Sequence, residues 1–122
     1  RKKQAARAAD WVQNTLEESS EEDLFIIGDF NDTPNRKKDP TLTVLHSKAG
    51  LRFLTQDMKS CKYSGWHVID HLAVTSSAAQ RFKSGTPMMF NVWDAYPHED
   101  ADYISDHCPI YAKFEVITPD ND

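Results

Sequence analysis

Residues 24–31 read LFIIGDFN, an apolar run that stops at a glycine and continues into polar residues. The run from Leu24 to Ile27 is short and unbroken, which is typical of a β-strand buried on both faces. Gly28 closes the predicted strand, and a polar loop over 29–39 follows it. The stretch therefore predicts a buried strand that presents Asp29 and Asn31 just beyond its end.

Helices are predicted on both sides of this strand. Apolar residues recur at helical spacing from Ala5 to Leu16, so residues 1–18 are predicted to form an amphipathic helix. Downstream, Asp39 and Pro40 form an N-cap and first-turn pair, and Gly50 stands where a helix would stop. A second, shorter helix is therefore predicted between residues 39 and 50.

Further strands are predicted along the rest of the chain. The segments 51–54 and 68–74 have strand-like apolar content, 87–92 is a weaker candidate, and a helical turn over 78–82 follows Ser76. Apolar residues alternate with polar ones from Ile110 to Val116, which is the clearest strand pattern in the sequence. The mixture predicts an α/β or α+β layered domain.

Composition and charge limit the possible classes. The 122 residues suit one domain, and a hydrophobic fraction of 39% excludes wholesale disorder. No apolar run is long enough to span a membrane, and no signal-peptide pattern is present. The net charge is −5, and residues 94–106 hold five carboxylates without Lys or Arg, which disfavours a purely electrostatic DNA-binding module. Because the chain starts at Arg1, we expect it to have been cut or processed upstream.

The two cysteines carry little information. Two cysteines, Cys61 and Cys108, are too few for a disulfide framework and lack C-x-x-C spacing, so they leave the redox compartment undecided. Cys108 is predicted to be a small buried residue. A zinc site formed from these cysteines and His107 is disfavoured, because distant residues would have to converge.

Polar clusters interrupt three of the predicted strands, at 28–31, 69–71 and 105–107. One buried carboxylate is usually a hydrogen-bonded structural acid, but three clusters in a small domain favour a shared site. Hard oxygen ligands with one imidazole suit Mg²⁺ or Mn²⁺ and acid–base chemistry on a phosphate ester. The candidate residues are Asp29, Asn31, Asp70, Asp106 and His107.

Other kinds of site do not fit the sequence. It contains no Gly-rich phosphate loop, no H-E-x-x-H helix and no G-x-S-x-G elbow. Ser105 directly precedes Asp106 and lacks the elbow that a nucleophilic serine needs. Since side chains alternate along a strand, His71 is predicted to point away from Asp70 and to be structural.

These motifs resemble a known family. GDFN at 28–31, IDH at 69–71 and SDHCP at 105–109, separated by 41 and 36 residues, resemble the three C-terminal motifs of the endonuclease/exonuclease/phosphatase superfamily, which has the deoxyribonuclease-I-like fold. The resemblance implies that residues 1–122 are the C-terminal half of a four-layer α/β sandwich. It predicts one mixed, mostly antiparallel sheet flanked by two or three helices, and a Mg²⁺- or Mn²⁺-dependent phosphoesterase.

The resemblance also implies a role for each candidate residue. Asp29 would position and deprotonate the attacking water, and Asn31 would hold the phosphate or that water. Asp106 would bind the metal ion. His107 would face the scissile phosphate, and Asp70 would orient His107. The expected substrate is a phosphate ester, with nucleic acid among the candidates.

The chain departs from the family in what precedes these motifs. The family's N-terminal half supplies an early Asn, a metal-binding Glu and an Asn-x-His-Leu motif, whereas here no Glu precedes Glu17 and no Asn-x-His occurs. We therefore expect an uncovered apolar surface and pairing with the missing half or with a second copy. The alternative is a catalytically incomplete interaction fragment.

Three smaller features remain ambiguous. Trp66 either contacts part of the substrate at the rim of the site or packs over its strand. The basic run 36–38 either reaches a phosphate or forms a solvated loop, the latter being favoured. The acidic stretch 94–102 either binds a second cation or is an exposed loop, and the loop is again favoured.

Overall fold

The structure is a computed structural model that describes residues 1–116, and it has the predicted mixed α and β composition. Residues 1–116 form five helices, more than the two or three predicted: α1 (Lys2–Glu18), α2 (Thr43–Ser47), α3 (Ser76–Gln80), α4 (Val92–Ala95) and α5 (His98–Ile104). The same residues form five strands: β1 (Phe25–Asp29), β2 (Arg52–Phe53), β3 (Asp70–Val74), β4 (Met88–Met89) and β5 (Ile110–Tyr111). No helix within these residues is long and apolar enough to cross a membrane.

The strands form two antiparallel sheets rather than the single sheet that was predicted. The larger sheet has the order β1-β3-β2, with β3 in the centre, and the smaller one pairs β4 with β5. Pro87 and Pro109 precede the two strands of the smaller sheet and have no N–H to donate. Both proline positions shorten the ladder, which covers two residues of each strand.

The core lies between α1, α2 and one face of the larger sheet. Ala9, Val12, Leu45 and Leu51 are fully or almost fully buried there, as the helical spacing of α1 predicted. Burial of each large aliphatic side chain contributes about 1.5–3 kcal/mol. This packing fixes the position of β1 and β3, whose ends carry the candidate site.

The prediction that β1 is buried on both faces is wrong. Ile27 is 65% exposed, whereas its neighbour Ile26 packs against the core. The strand also does not stop at Gly28 but continues to Asp29. Gly28 has φ 151°, a value that L side chains rarely adopt, so a glycine suits this position in the strand. Among residues 1–116, β1 is an edge strand whose second face is covered at Phe25, where the ring lies 5.0 Å from that of Phe114, but not at Ile27.

The second predicted helix is shorter than the sequence suggested. It begins at Thr43, and Asp39 does not cap it but has φ 56° and forms an ion pair with Lys2. The predicted stop is confirmed, since the Gly50 N–H donates to the His46 carbonyl at 3.0 Å and Gly50 has φ 66°.

Two predictions near the end of the described chain need correction. The alternating segment 110–116 forms β5 and then pairs separately with residues 81–83, through an isolated bridge between Phe114 and Phe82. The acidic stretch 94–102 is not a loop, because it overlaps the end of α4 and most of α5. Asn91 caps α4, because its side-chain oxygen accepts the Trp93 N–H at 3.1 Å.

Candidate active site

The ends of β1 and β3 place two carboxylates side by side. Asp29 and Asp70 are direct partners in the antiparallel register, and the Phe30 N–H donates to the Ile69 carbonyl at 2.9 Å just beyond them. Like charges directly opposite each other destabilise a sheet. A bound cation would relieve that repulsion, so the pairing is a candidate position for a metal ion.

His107 completes the cluster from the segment before β5. Its Nδ1 lies 2.7 Å from Asp70 Oδ2, and one potential ligand atom from each of Asp29, Asp70 and His107 lies within 4.8 Å of the other two. The hydrogen bond that His107 donates to Asp70, helped by the charges of Asp70, Asp106 and Asp29, raises the pKa of His107 despite its partial burial. The imidazole is therefore biased towards its cationic form.

Asn31 and Asp106 lie at the margin of this cluster. The Asn31 backbone N–H donates to Asp29 Oδ1 at 2.6 Å, which orients that carboxylate, while the Asn31 side-chain oxygen accepts from Arg1 at 2.9 Å. Asp106 is exposed and is not among the three grouped ligand residues. The structure thus gathers three of the five predicted residues, and the catalytic or metal-binding roles of all five stay predictions.

His71 is structural, as predicted from strand alternation. It is 2% exposed and points to the covered face of the sheet, where its Nε2 donates to the Asp32 carbonyl at 3.0 Å and the Thr55 hydroxyl lies 2.8 Å from its Nδ1. The carbonyl can only accept, so Nε2 carries the proton and Nδ1 accepts from Thr55. Burial lowers the pKa of His71 and keeps the ring neutral.

Asp32 anchors the loop after Asp29, and the sequence analysis did not single it out. Its buried carboxylate accepts bonds from the Thr33 N–H at 2.9 Å, from Arg36 at 3.0 Å and from the Thr41 hydroxyl. Burial opposes ionisation, but the bonds from Thr41, Thr33 and Arg36 outweigh it and lower the pKa of Asp32. Arg36 is therefore held by Asp32, which lies outside the GDFN motif that marked Asp29 and carries no motif of its own.

Cys61 and Cys108 form a disulfide, with 6.3 Å between their Cα atoms. Cys108 is buried, as predicted, and its sulfur accepts the Val92 N–H at 3.4 Å. The cysteines are 47 residues apart. Their spacing therefore gave no signal of pairing, which depends on the fold bringing residue 61 next to the His107 segment.

Two cavities flank His107. The larger, about 470 Å³, is here called the apolar groove, and its lining includes Ile27, Phe90 and Ile104. The smaller, about 210 Å³, is here called the side cleft, and its lining includes Trp66. Trp66 is 69% exposed and its ring lies 5.1 Å from that of Tyr63, so it stands at the rim rather than packing flat over the strand.

Comparisons with known proteins give no match. No family model matches the chain, and neither the curated proteins nor the solved structures contain a match. The functional argument therefore depends on the residues and geometry described above.

Proposed function

We propose that this chain carries active-site residues of a divalent-metal-dependent phosphoesterase that hydrolyses a phosphodiester by direct attack of water. The observation that carries the proposal is the meeting of Asp29, Asp70 and His107 at the end of the β1–β3 pair. The three motifs that resemble the endonuclease/exonuclease/phosphatase superfamily support the same assignment, since each one supplies a member of this group.

In the proposed reaction the groups act as a base and a cation. Asp29 accepts a proton from water as the water oxygen bonds to phosphorus, the bond from phosphorus to the leaving oxygen breaks, and the alkoxide takes a proton from solvent to leave as the alcohol. His107 donates its Nδ1–H to Asp70, which fixes the ring and leaves Nε2 free to face the phosphate. The raised pKa of His107 favours the cation that meets the developing negative charge.

The donor set fits a hard divalent ion. Mg²⁺ and Mn²⁺ prefer carboxylate oxygens and retain several waters. Asp29 and Asp70 would hold the ion here, and Asp106 is the further ligand expected from the resemblance. When bound, such an ion neutralises charge on the phosphate oxygens.

A second candidate is a catalytically incomplete fragment that pairs with an N-terminal half or with a second copy of itself. The apolar groove favours this reading, because Ile27 and Ile104 are 65% and 52% exposed and Phe90 is half-exposed beside them. Contiguous exposed apolar residues of this kind mark interaction surfaces. In this case Asp29, Asp70 and His107 would form a complete site only with further metal-binding or phosphate-binding side chains from the partner.

The two candidates are separated by a hydrolysis assay. Mg²⁺-dependent cleavage of plasmid DNA and of bis-p-nitrophenyl phosphate is measured for the wild type, for Asp29→Asn and for the exposed control Asp10→Asn on α1. Activity that Asp29→Asn abolishes and Asp10→Asn retains supports the phosphoesterase. Equal activity in all three removes Asp29 from the mechanism, and no activity in any of them favours the incomplete fragment.

A further inference from the structure

The disulfide joins the two walls of the side cleft. One wall is the segment 60–68, which contains Cys61, and the other is the segment 106–108, in which Cys108 directly follows His107. The side cleft therefore lies between two segments that one covalent bond joins, next to the His107 ring that the proposed reaction uses.

The first wall is organised mainly by contacts within its own segment. The Ser60 N–H donates to the Trp66 carbonyl at 2.9 Å, and the Trp66 N–H donates to the Tyr63 carbonyl at 2.8 Å. These bonds shape the loop but do not fix its distance from His107. That distance depends on attachments to other segments, of which the disulfide is the first; Asp70, two residues beyond the wall, also contacts His107 at 2.7 Å.

The second attachment runs through Lys62. Its Nζ lies 2.5 Å from Asp102 Oδ1 on α5 and 4.9 Å from the centre of the Trp93 ring on α4. The ion pair is partly solvated, with Asp102 largely exposed, so it is a weak restraint compared with a covalent bond.

We infer that the Cys61–Cys108 disulfide is a positioning bond, which holds the wall carrying Tyr63 and Trp66 against the His107 wall so that the side cleft binds the organic group of the phosphate ester. This inference rests on the proposed phosphoesterase function. The exposed aromatic pair offers a flat apolar surface for a planar group, and the phosphate would then lie at His107.

The redox step is a simple exchange. Two cysteine thiols give up two electrons and two protons to a disulfide oxidant such as oxidised glutathione, which becomes two thiols as the Cys61–Cys108 bond forms. A dithiol reagent reverses the step and becomes a cyclic disulfide. The cleft is therefore expected to be formed in the oxidised chain and loosened in the reduced chain.

The test compares oxidised protein with the double variant Cys61→Ser/Cys108→Ser and with wild type reduced by dithiothreitol. Steady-state hydrolysis of bis-p-nitrophenyl phosphate gives kcat and KM, and calorimetric titration of the same compound into the Asp29→Asn background gives Kd without turnover. We expect KM and Kd to rise about tenfold without the bond while kcat changes less than about threefold, since the loss is of preorganised binding.

A matched control separates positioning from stability. Leu16→Ala weakens the packing near the C-terminal end of α1, away from the site, and leaves both walls intact, so it should lower Tm without moving KM or Kd. Equal KM and Kd with and without the bond would overturn the inference. So would failure of the oxidised protein to bind the compound, or unfolding of the whole chain on reduction, as seen by circular dichroism.

The same data distinguish the two proposals. If no preparation hydrolyses the compound but the oxidised one binds it more tightly than the reduced one, the phosphoesterase proposal fails and the positioning role survives as a binding role. If hydrolysis depends on Asp29 but not on the disulfide, the phosphoesterase proposal survives and the positioning role of the disulfide fails.

Discussion

The two faces of the larger sheet differ in what covers them and in the residues they carry. On one face Ile26, His71 and Ala73 point into the packing beneath α1 and α2. On the other face Ile27 is exposed, and Asp29 and Asp70 lie side by side. We call the second face the open face because it is uncovered at Ile27 and Asp29, although Leu72 and Val74 on the same face are buried. At the site end of the sheet, a substitution should therefore change mainly stability on the covered face and mainly chemistry on the open face.

The largest expected effect is on the open face. Replacing Asp29 with Asn removes the proposed base and should lower kcat by about 10²–10⁴-fold. The free energy of unfolding should hardly change, because the side chain is exposed and one of two facing charges is lost. Hydrolysis kinetics and urea unfolding of the same preparation check both halves. A large loss of stability with unchanged kcat would reverse the contrast between the faces.

Packing substitutions should show the opposite pattern. Leu45→Ala beneath the covered face should cost about 2–5 kcal/mol of unfolding free energy, because it leaves a cavity in a fully packed core. Ile27→Ala on the open face should cost less than about 0.5 kcal/mol, since little area is lost from contact. Urea denaturation of both variants provides the comparison, and a cost for Ile27→Ala close to that of Leu45→Ala would show that the open face is covered in solution.

Asp70 lies beside Asp29 and accepts a hydrogen bond from His107, so its substitution allows a finer test. Asp70→Asn should lower the pKa of His107 towards its ordinary value and reduce kcat by about 10–100-fold, because the ring loses its charged partner while the shape is kept. Titration of the His107 ring protons by NMR in metal-free buffer measures the pKa. An unchanged pKa would mean that the 2.7 Å contact does not form in solution.

The smallest expected effect is a pair of opposite pH slopes. His107 has a raised pKa in the folded chain, so its contribution to stability is complete below the unfolded value of about 6.5 and is lost as pH rises through the folded value. His71 has a lowered pKa, so its neutral, buried ring favours folding above about 6.5 and stability falls as pH drops below that value. Unfolding curves of His107→Gln and His71→Gln between pH 5 and 8 should each remove one slope. Solvent screening keeps the His107 slope shallow.

Local patterns predicted the elements well where the signal was contained within one segment. The spacing of Ala5, Ala9 and Val12 gave α1 and its buried side, and the alternation of Asp70 and His71 gave their opposite faces. Both depend on the geometry of a single helix or strand, which the sequence specifies directly.

Features that depend on distant contacts were missed. Ile27 is exposed although Leu72 and Val74 on the same face of the sheet are buried, so the cover over this face does not reach Ile27, and an apolar run alone does not reveal this. The Cys61–Cys108 bond and the triple hydrogen bonding of Asp32 likewise require segments that the fold brings together. Asp106 lies outside the group of Asp29, Asp70 and His107, although it directly precedes His107 in the sequence, and adjacency in sequence did not reveal this.

The most direct test of the central claim is to locate a bound divalent ion. Mn²⁺ broadens the NMR signals of nearby protons, so a titration of the wild type reports which histidine lies beside the ion. If Asp29, Asp70 and His107 form one metal-supported site, the ring signals of His107 broaden first and Asp29→Asn weakens the effect. Earlier broadening of His98, which lies in the acidic stretch of α5, with His107 unaffected, would contradict the account.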